Sequence, residues 1–219
     1  MSTFSFPKAV LWDMDGTLVD SEPYWLLSES ALAQDYGKVW TQEHGHELIG
    51  KSLYDSSAIL KERFDIKDLS AQQIIDRLTD SVISKLQHSL PWRPGALELL
   101  MELKQAGVKT ALVTMSMRRM AMAVVEAIPF QAFDVVVAGD DVTFGKPHPE
   151  PYEKAAQLLG FSPAECIAIE DSETGLLSAE AAGCLPLGIV NLMHLKQTGT
   201  RVIRDSLSNI NLETLRGLA

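Results

Sequence analysis

Two aspartates two residues apart, Asp13 and Asp15, follow the short apolar run AVLW, in the string Asp13-Met14-Asp15-Gly16-Thr17. While the chain is still extended, residues two apart share a side, and Gly16 eases the turn that follows. Other polar residues close comparable runs: Thr114 after VKTALV, Asp140-Asp141 after DVVVA and Gly139, and Glu170-Asp171 after CIAI. Lys146 lies in the loop after the third of these runs. Like charges about 4 Å apart, at an effective dielectric near 20, repel by on the order of 4 kcal/mol. A site gathering Asp13, Asp15, Glu170 and Asp171 therefore needs a cation or protonated partners. Oxygen-only ligands, with no competing Cys/His set, favour Mg²⁺ over zinc. Singly, each position has an ordinary reading: a solvated turn for the DxD pair, a helix N-cap for Glu170-Asp171, a surface lysine for Lys146, a strand-end hydroxyl for Thr114. Convergence on one rim is what would make them a site.

The apolar runs predict the elements that could bring this about. Segments 8–12, 108–113, 134–138, 166–169 and 185–190 are short, rich in Val and Ile, and apolar throughout, as strands buried on both faces are. Helical spacing fills the gaps, in the stretch from Pro94-Gly95 to Gly107, from Met117 to Ile128, from Pro151 to Leu159, and from Thr174 to Gly183. The alternation implies βαβ units and a doubly wound, mostly parallel sheet of the α/β class. In such sheets ligands bind beyond the carboxyl ends of the strands, where the polar residues fall. Between Ser21 and about Leu90 the alternation stops: LLSESALAQDYG, SLYDSSAILKERF and LSAQQIIDRLTDSVISKLQHSL all carry helical patterns. The expected organisation is a core of residues 1–20 and 91–219 with an all-helical insertion of residues 21–90. Trp92-Arg93-Pro94-Gly95 marks the return to the core.

Bulk properties narrow the function classes. The chain has 219 residues, 46% hydrophobic and 22% charged, with a formal net charge of −10. No cationic run suits a nucleic-acid backbone, and an anionic substrate must find its own local cation against this field. No segment is apolar enough to span a bilayer, and MSTFSFPKAV lacks the basic start and apolar stretch of a signal peptide. The two cysteines, Cys166 and Cys184, read as buried thiols in a reducing compartment, so the expected location is cytoplasmic. The expected oligomeric state is a monomer.

The motifs together resemble the haloacid dehalogenase-like superfamily. DMDGTLVDSE resembles its first motif, LVTMS its second, GKPHPEPY its lysine motif and IEDSETG its acidic motif, in the family's order and across nearly the whole chain. The helical insertion looks like the cap of the β-phosphoglucomutase-like and phosphoglycolate-phosphatase-like branch. The resemblance implies an Mg²⁺-dependent phosphatase acting on a small phosphorylated metabolite. Asp13 would attack phosphorus to give an aspartyl-phosphate, and Asp15 would protonate the leaving alcohol and later activate water. Thr114 would hydrogen-bond the phosphoryl group and Lys146 would neutralise charge. Mg²⁺ would bind the Asp13 carboxylate, the Asp15 carbonyl and Asp171, with Glu170 direct or through water. Gly16, Thr17, Met115 and Ser116 would line the phosphate cradle, largely through backbone N–H groups.

Several positions depart from the family pattern. Met115 stands where Asn, Ser or Gly is common, and its thioether can offer phosphate no donor but can form an apolar wall. Mutases of this kind use a cap arginine, which aligns with Leu53, and a histidine replaced here by Tyr24 or Trp25. These losses favour a phosphatase, with a sugar phosphate mutase as the alternative because Lys51 could substitute as a cation. Dehalogenation needs no leaving-group acid, whereas Asp15 supplies one. Phosphonate hydrolysis would need Lys51 as a Schiff base. A non-catalytic phosphoacceptor module would use Asp13, Thr114 and Lys146 but needs neither Asp15 nor the insertion. His44 and His46 read as a solvated helix end, Tyr24 and Trp25 as packing or substrate contacts, and the Met117 to Met122 stripe as core.

Overall fold

The computed structural model describes residues 6–218, so the reading of the segment MSTFS falls outside the described residues. The first strand, β1 (Ala9–Trp12), is followed by four helices: α1 (Glu22–Asp35), α2 (Gln42–His46), α3 (Leu53–Arg63) and α4 (Ala71–His88). The chain then alternates through α5 (Ala96–Gln105), β2 (Lys109–Val113), α6 (Arg118–Glu126), β3 (Val135–Val137), α7 (Glu150–Leu159), β4 (Cys166–Glu170), α8 (Glu173–Ala182) and β5 (Leu185–Ile189). It ends in β6 (Val202–Arg204) and α9 (Leu212–Arg216). The strands form one parallel sheet in the order β3-β2-β1-β4-β5-β6. The order reverses at β1, which opens a crevice at the carboxyl ends of β1 and its neighbours.

The five expected strands all form, because each buries both faces. On β1 the alternation is direct: Val10 and Trp12 join the apolar cluster that includes residues of α5, α6 and α9, whereas Ala9 and Leu11 join the one on the opposite face with Tyr152, Ala155 and Ala156 of α7. The sixth strand and the last helix carry no comparable signal. Strand β6 is three residues long, partly exposed, and ends in an arginine. Its approach is pinned by Arg201, buried among carboxylates, which donates through Nε and Nη2 to Glu180 at 2.9 and 2.6 Å and through Nη1 to Glu173 at 2.8 Å.

The four helices between β1 and α5 have an apolar cluster of their own, including Leu32, Trp40, Leu60, Phe64, Ile74 and Leu78. Helix α4 carries the strongest amphipathic pattern of the four, starts with a Ser70–Gln73 capping box, and packs on α1 and α3. Its C-terminal half reaches the main core through Val82 and Leu86. Arg119 of α6 ties it down further by pairing with Asp76 and Asp80, both at 3.0 Å. The chain leaves and re-enters the sheet domain side by side. Val19 bridges Trp92, Asp20 N–H donates to the Pro91 carbonyl at 2.8 Å, and Arg93 N–H donates to that of Leu18 at 2.9 Å.

The return ends at Gly95, the residue before α5, at φ +87°. A Cβ there would overlap the Leu207 backbone in addition to straining the left-handed conformation. Gly95→Ala is expected to cost about 2 kcal/mol or more in urea unfolding; an unchanged midpoint would contradict this account of the crossover.

Candidate active site

Sheet register assembles the site. Trp12 lies opposite Leu112 of β2 and Ile169 of β4. One residue further on, Asp13 therefore stands beside Glu170, with its N–H donating to the Ile169 carbonyl at 3.0 Å. Thr114 lies just beyond the end of β2, its N–H bonded to the Val137 carbonyl at 2.9 Å.

Lys146 arrives from the loop before α7 and fills the space between these strands. Its ammonium donates to Asp13 Oδ1 at 2.7 Å, Glu170 Oε1 at 2.6 Å and the Val113 carbonyl at 2.9 Å. Burial alone would lower this lysine, but Asp13 and Glu170 outweigh it and hold the ammonium charged. The loop is fixed from below by Met115, whose thioether accepts the Lys146 N–H at 3.3 Å and would lie 2.9 Å from a Cβ at Gly145. Met115 thus lines the cavity and also braces the lysine loop.

Glu170 is fully buried. Lys146 and Tyr152 Oη, both at 2.6 Å, share its Oε1, and Ser172 Oγ donates to Oε2 at 3.2 Å. Burial, followed by the Glu170 and Asp13 charges, pushes the Tyr152 phenol upward, so it remains a donor. Asp171 accepts from Asn191 at 3.0 Å and lies 3.5 Å from the Thr17 hydroxyl. Gly16, at φ +84°, lets the turn pass so close that a Cβ would overlap the Asp171 carboxylate. Gly16 and Thr17 thus pack against Asp171, and the Thr17 side chain is fully buried.

Asp13, Glu170 and Asp171 each offer an oxygen within 4.8 Å of the others. Burial and then the Glu170 charge push Asp13 well above the usual carboxylate range, with Lys146 pulling back only part of the shift. The same two causes push Asp171 up to about 7. Three buried acids against one ammonium leave a charge deficit, and an all-oxygen donor set of this kind fits a hard divalent cation. His44 and His46 are not in this cluster. His44 takes part in the Thr41 capping box, and His46 contacts Gln42.

Asp15 belongs to both halves of the molecule. Its Oδ2 accepts from Thr114 Oγ1 at 3.2 Å and Ser116 Oγ at 2.7 Å, while its Oδ1 accepts from Ser21 Oγ and from Trp25 Nε1 at 3.3 Å. Trp25, on α1, is the aromatic that reaches the site; Tyr24 points away and donates to the Ser89 carbonyl at 3.0 Å. The sequence reading missed Ser21, Glu22, Glu29, Tyr152 and Asn191. Asn191 had a signal, since it closes the fifth apolar run, and Ser21 and Glu22 were visible only as a boundary.

The helical insertion roofs these residues over a partly open cavity of about 150 Å³. Its floor includes Asp13, Asp15, Thr114, Met115, Ser116, Lys146 and Asp171. Its roof is mostly apolar but includes Glu22, Glu29 and, at the edge, Lys51. Burial, then Asp15 and Asp171, push Glu22 up to about 8, and burial pushes Glu29 up to about 7 against the hydrogen bond from Trp40.

A parallel sheet with an acidic cluster and a buried lysine at its reversal point, roofed by helices over a cavity, has the form of an α/β enzyme. The family model of the haloacid dehalogenase-like hydrolases matches residues 7–183. A phosphorylated carbohydrates phosphatase of Thermotoga maritima is 33% identical over 177 residues, covering 80% of this chain and 82% of that protein. Hexitol phosphatase A of Escherichia coli is 34% identical over 189 residues, covering 81% and 80%. The crystal structure of CbbY from Rhodobacter sphaeroides in complex with phosphate superposes with a TM-score of 0.86 at 27% identity, over 95% of this chain and 98% of that one. The chain belongs to the haloacid dehalogenase-like hydrolases, in their phosphatase and phosphoglucomutase-like branch. No helix among the described residues is long and apolar enough to cross a membrane.

The Glu29 shift has a definite sign. Its folded-state value lies above the ordinary 4.5, so its contribution to stability is fully present below about pH 4.5 and is lost as pH rises towards 7. Glu29→Gln keeps an acceptor for Trp40 and removes the buried charge. Its stability relative to wild type is expected to improve from pH 5 to pH 8 by on the order of 1–3 kcal/mol in urea unfolding; a difference independent of pH would contradict the assignment.

Proposed function

We propose that this chain is an Mg²⁺-dependent phosphatase that hydrolyses a small phosphorylated metabolite through an aspartyl-phosphate on Asp13. The observation that carries the reading is the buried contact of Lys146 with Asp13 and Glu170, at the carboxyl edge of the sheet and on the floor of the cavity beneath the insertion. A carboxylate cannot approach a phosphate dianion unless positive charge is already in place, and this ammonium is held there in advance.

The ion would be held by Asp13, Asp171 and the Asp15 backbone carbonyl, with Glu170 acting directly or through water. When bound, it supplies charge neutralisation to the nucleophile and the phosphoryl oxygens. In the first step an Asp13 oxygen forms a bond to phosphorus as the bond to the leaving oxygen breaks, and Asp15 gives that oxygen a proton. In the second, Asp15 takes a proton from water as the water oxygen attacks phosphorus, which releases inorganic phosphate and restores Asp13. The alcohol leaves after the first step, so that the water can take its place beside Asp15; phosphate leaves after the second, and Asp15 is again ready to donate. Thr114 and Ser116, which donate to Asp15 here, are within reach of an incoming phosphoryl group. Ser21 and Trp25 hold Asp15 from the insertion side, so opening of the insertion would both admit substrate and release the acid.

We take residues 21–90 as the cap and residues 1–20 and 91–219 as the catalytic core. The cavity favours hydrolysis over sugar phosphate mutation: among the described residues no arginine lines it, and Leu53 lines it at the position that aligns with the mutases' phosphate-binding arginine.

Multiple turnover of p-nitrophenyl phosphate is expected with Mg²⁺, loss of it in EDTA, and recovery when Mg²⁺ is restored. Asp13→Asn is expected to fold normally and to lose turnover by roughly 10³-fold or more. Activity near wild type in that variant would remove Asp13 from the nucleophile role.

A further inference from the structure

The three buried acids at the sheet edge are not held alike. Asp13 and Glu170 share the Lys146 ammonium, and Glu170 also accepts from Tyr152 and Ser172. Asp171 forms no ion pair among the described residues. Its Oδ2 accepts from Asn191 Nδ2 at 3.0 Å, whereas the Thr17 hydroxyl stands 3.5 Å from Oδ1, too far for a strong bond. One asparagine therefore fixes this carboxylate. The packing around it is close: a Cβ at Gly16 would lie 1.9 Å from Asp171 Oδ2 and 2.7 Å from Asn191 Nδ2. An amide that faces a carboxylate presents its NH₂ end. It holds one oxygen without cancelling the charge, whereas a lysine or arginine in its place would compete with a bound cation.

Asn191 is itself held from two directions. It follows β5, and the Val190 residue before it is bonded through both of its backbone groups. The Val190 N–H donates to the Arg204 carbonyl at 2.9 Å, and the Val190 carbonyl accepts from Arg93 Nη2 at 3.2 Å. Arg93 lies on the segment by which the chain returns from the helical insertion, with its own N–H bonded to the Leu18 carbonyl at 2.9 Å. Its guanidinium is not committed elsewhere. It pairs with no carboxylate among the described residues, and its Nε is buried without a hydrogen-bond partner. A buried donor left unpaired costs about 1–3 kcal/mol, comparable with what the single carbonyl contact returns, so stability alone does not account for an arginine here.

Resting on the reading above, in which Asp171 helps to hold the ion, we propose that Asn191 is a positioning residue for ion binding and that Arg93 sets it in place. Asn191 presents the Asp171 carboxylate to the ion in one orientation. Arg93 ties the strand end that carries Asn191 to the returning segment, so the junction with the insertion contributes to ion affinity.

The test titrates Mg²⁺ calorimetrically into the purified full chain, without substrate. It compares wild type, Asn191→Ala, Asn191→Leu, Arg93→Met and the variant combining Asn191→Ala with Arg93→Met. Urea unfolding checks that each is folded, and Asn191→Leu fills the site should the smaller residue destabilise the turn. Both Asn191 variants are expected to bind Mg²⁺ about tenfold or more weakly. Arg93→Met is expected to shift affinity in the same direction by less. The combined variant is expected to match Asn191→Ala, because Arg93 acts through the asparagine. Turnover of p-nitrophenyl phosphate is expected to fall at limiting Mg²⁺ and to be restored by excess, which a general loss of structure would not allow. Unchanged Mg²⁺ affinity in a folded Asn191 variant overturns the inference and leaves the phosphatase reading standing. Losses that add in full in the combined variant, or turnover that excess Mg²⁺ does not restore, overturn it too. A wild-type chain that takes up no Mg²⁺ overturns the ion-dependent reading and this inference together.

Discussion

One ammonium group between two carboxylates organises this molecule. Lys146 is buried together with Asp13 and Glu170, and burying any of the three alone would cost several kcal/mol. The arrangement holds because every partner is itself fixed. Glu170 is held by Tyr152 and Ser172, Asp13 by the sheet, and the lysine loop by the Met115 thioether. Even so, the acids outnumber the cation. Asp171 completes a cluster whose electrostatics are satisfied only by added protons or a metal ion, and burial, reinforced by the neighbouring Glu170 charge, raises it to about 7.

The fold can be read as the means of placing these groups. Parallel strands bring Asp13, Thr114 and Glu170 to one edge, and the register of β1 against β4 sets Asp13 beside Glu170. The departing and returning segments pair at Val19 and Trp92, so the insertion is attached next to the DxD turn. Because Ser21 and Trp25 reach Asp15 from the insertion, the position of the roof and the position of this carboxylate are coupled. The division of labour is clear in the lining: the floor is charged, and the roof is apolar apart from Glu22, Glu29, Lys51 and small polar groups.

Much of this was legible in the sequence, for physical reasons. Strands buried on both faces are apolar without interruption, so β1 to β5 stood out, and the polar residues that close them marked the functional edge. Strand β6 did not stand out, since a short edge strand needs little apolar character and is secured by Arg201, whose partners Glu173 and Glu180 are more than 20 residues away in sequence. Tyr152 was hidden for a different reason. It sits in a helix on the opposite face of the sheet and reaches Glu170 through the core, a contact no local spacing announces. Glu29 stood unremarked inside LLSESALAQDYG, and the hydrogen bond it accepts from Trp40, eleven residues on, is likewise not announced by local spacing.

The acids at the sheet edge need a divalent cation to complete their charge balance. Calorimetric titration of Mg²⁺ into the purified chain near pH 6.5, repeated in buffers of different ionisation enthalpy, tests it directly. One ion per chain is expected, with net proton release because Asp13 and Asp171 hold protons more tightly before the ion arrives. Saturable binding that is lost in Asp171→Asn would complete the result. A wild-type chain that takes up no ion, or takes it up with no proton release, would contradict it.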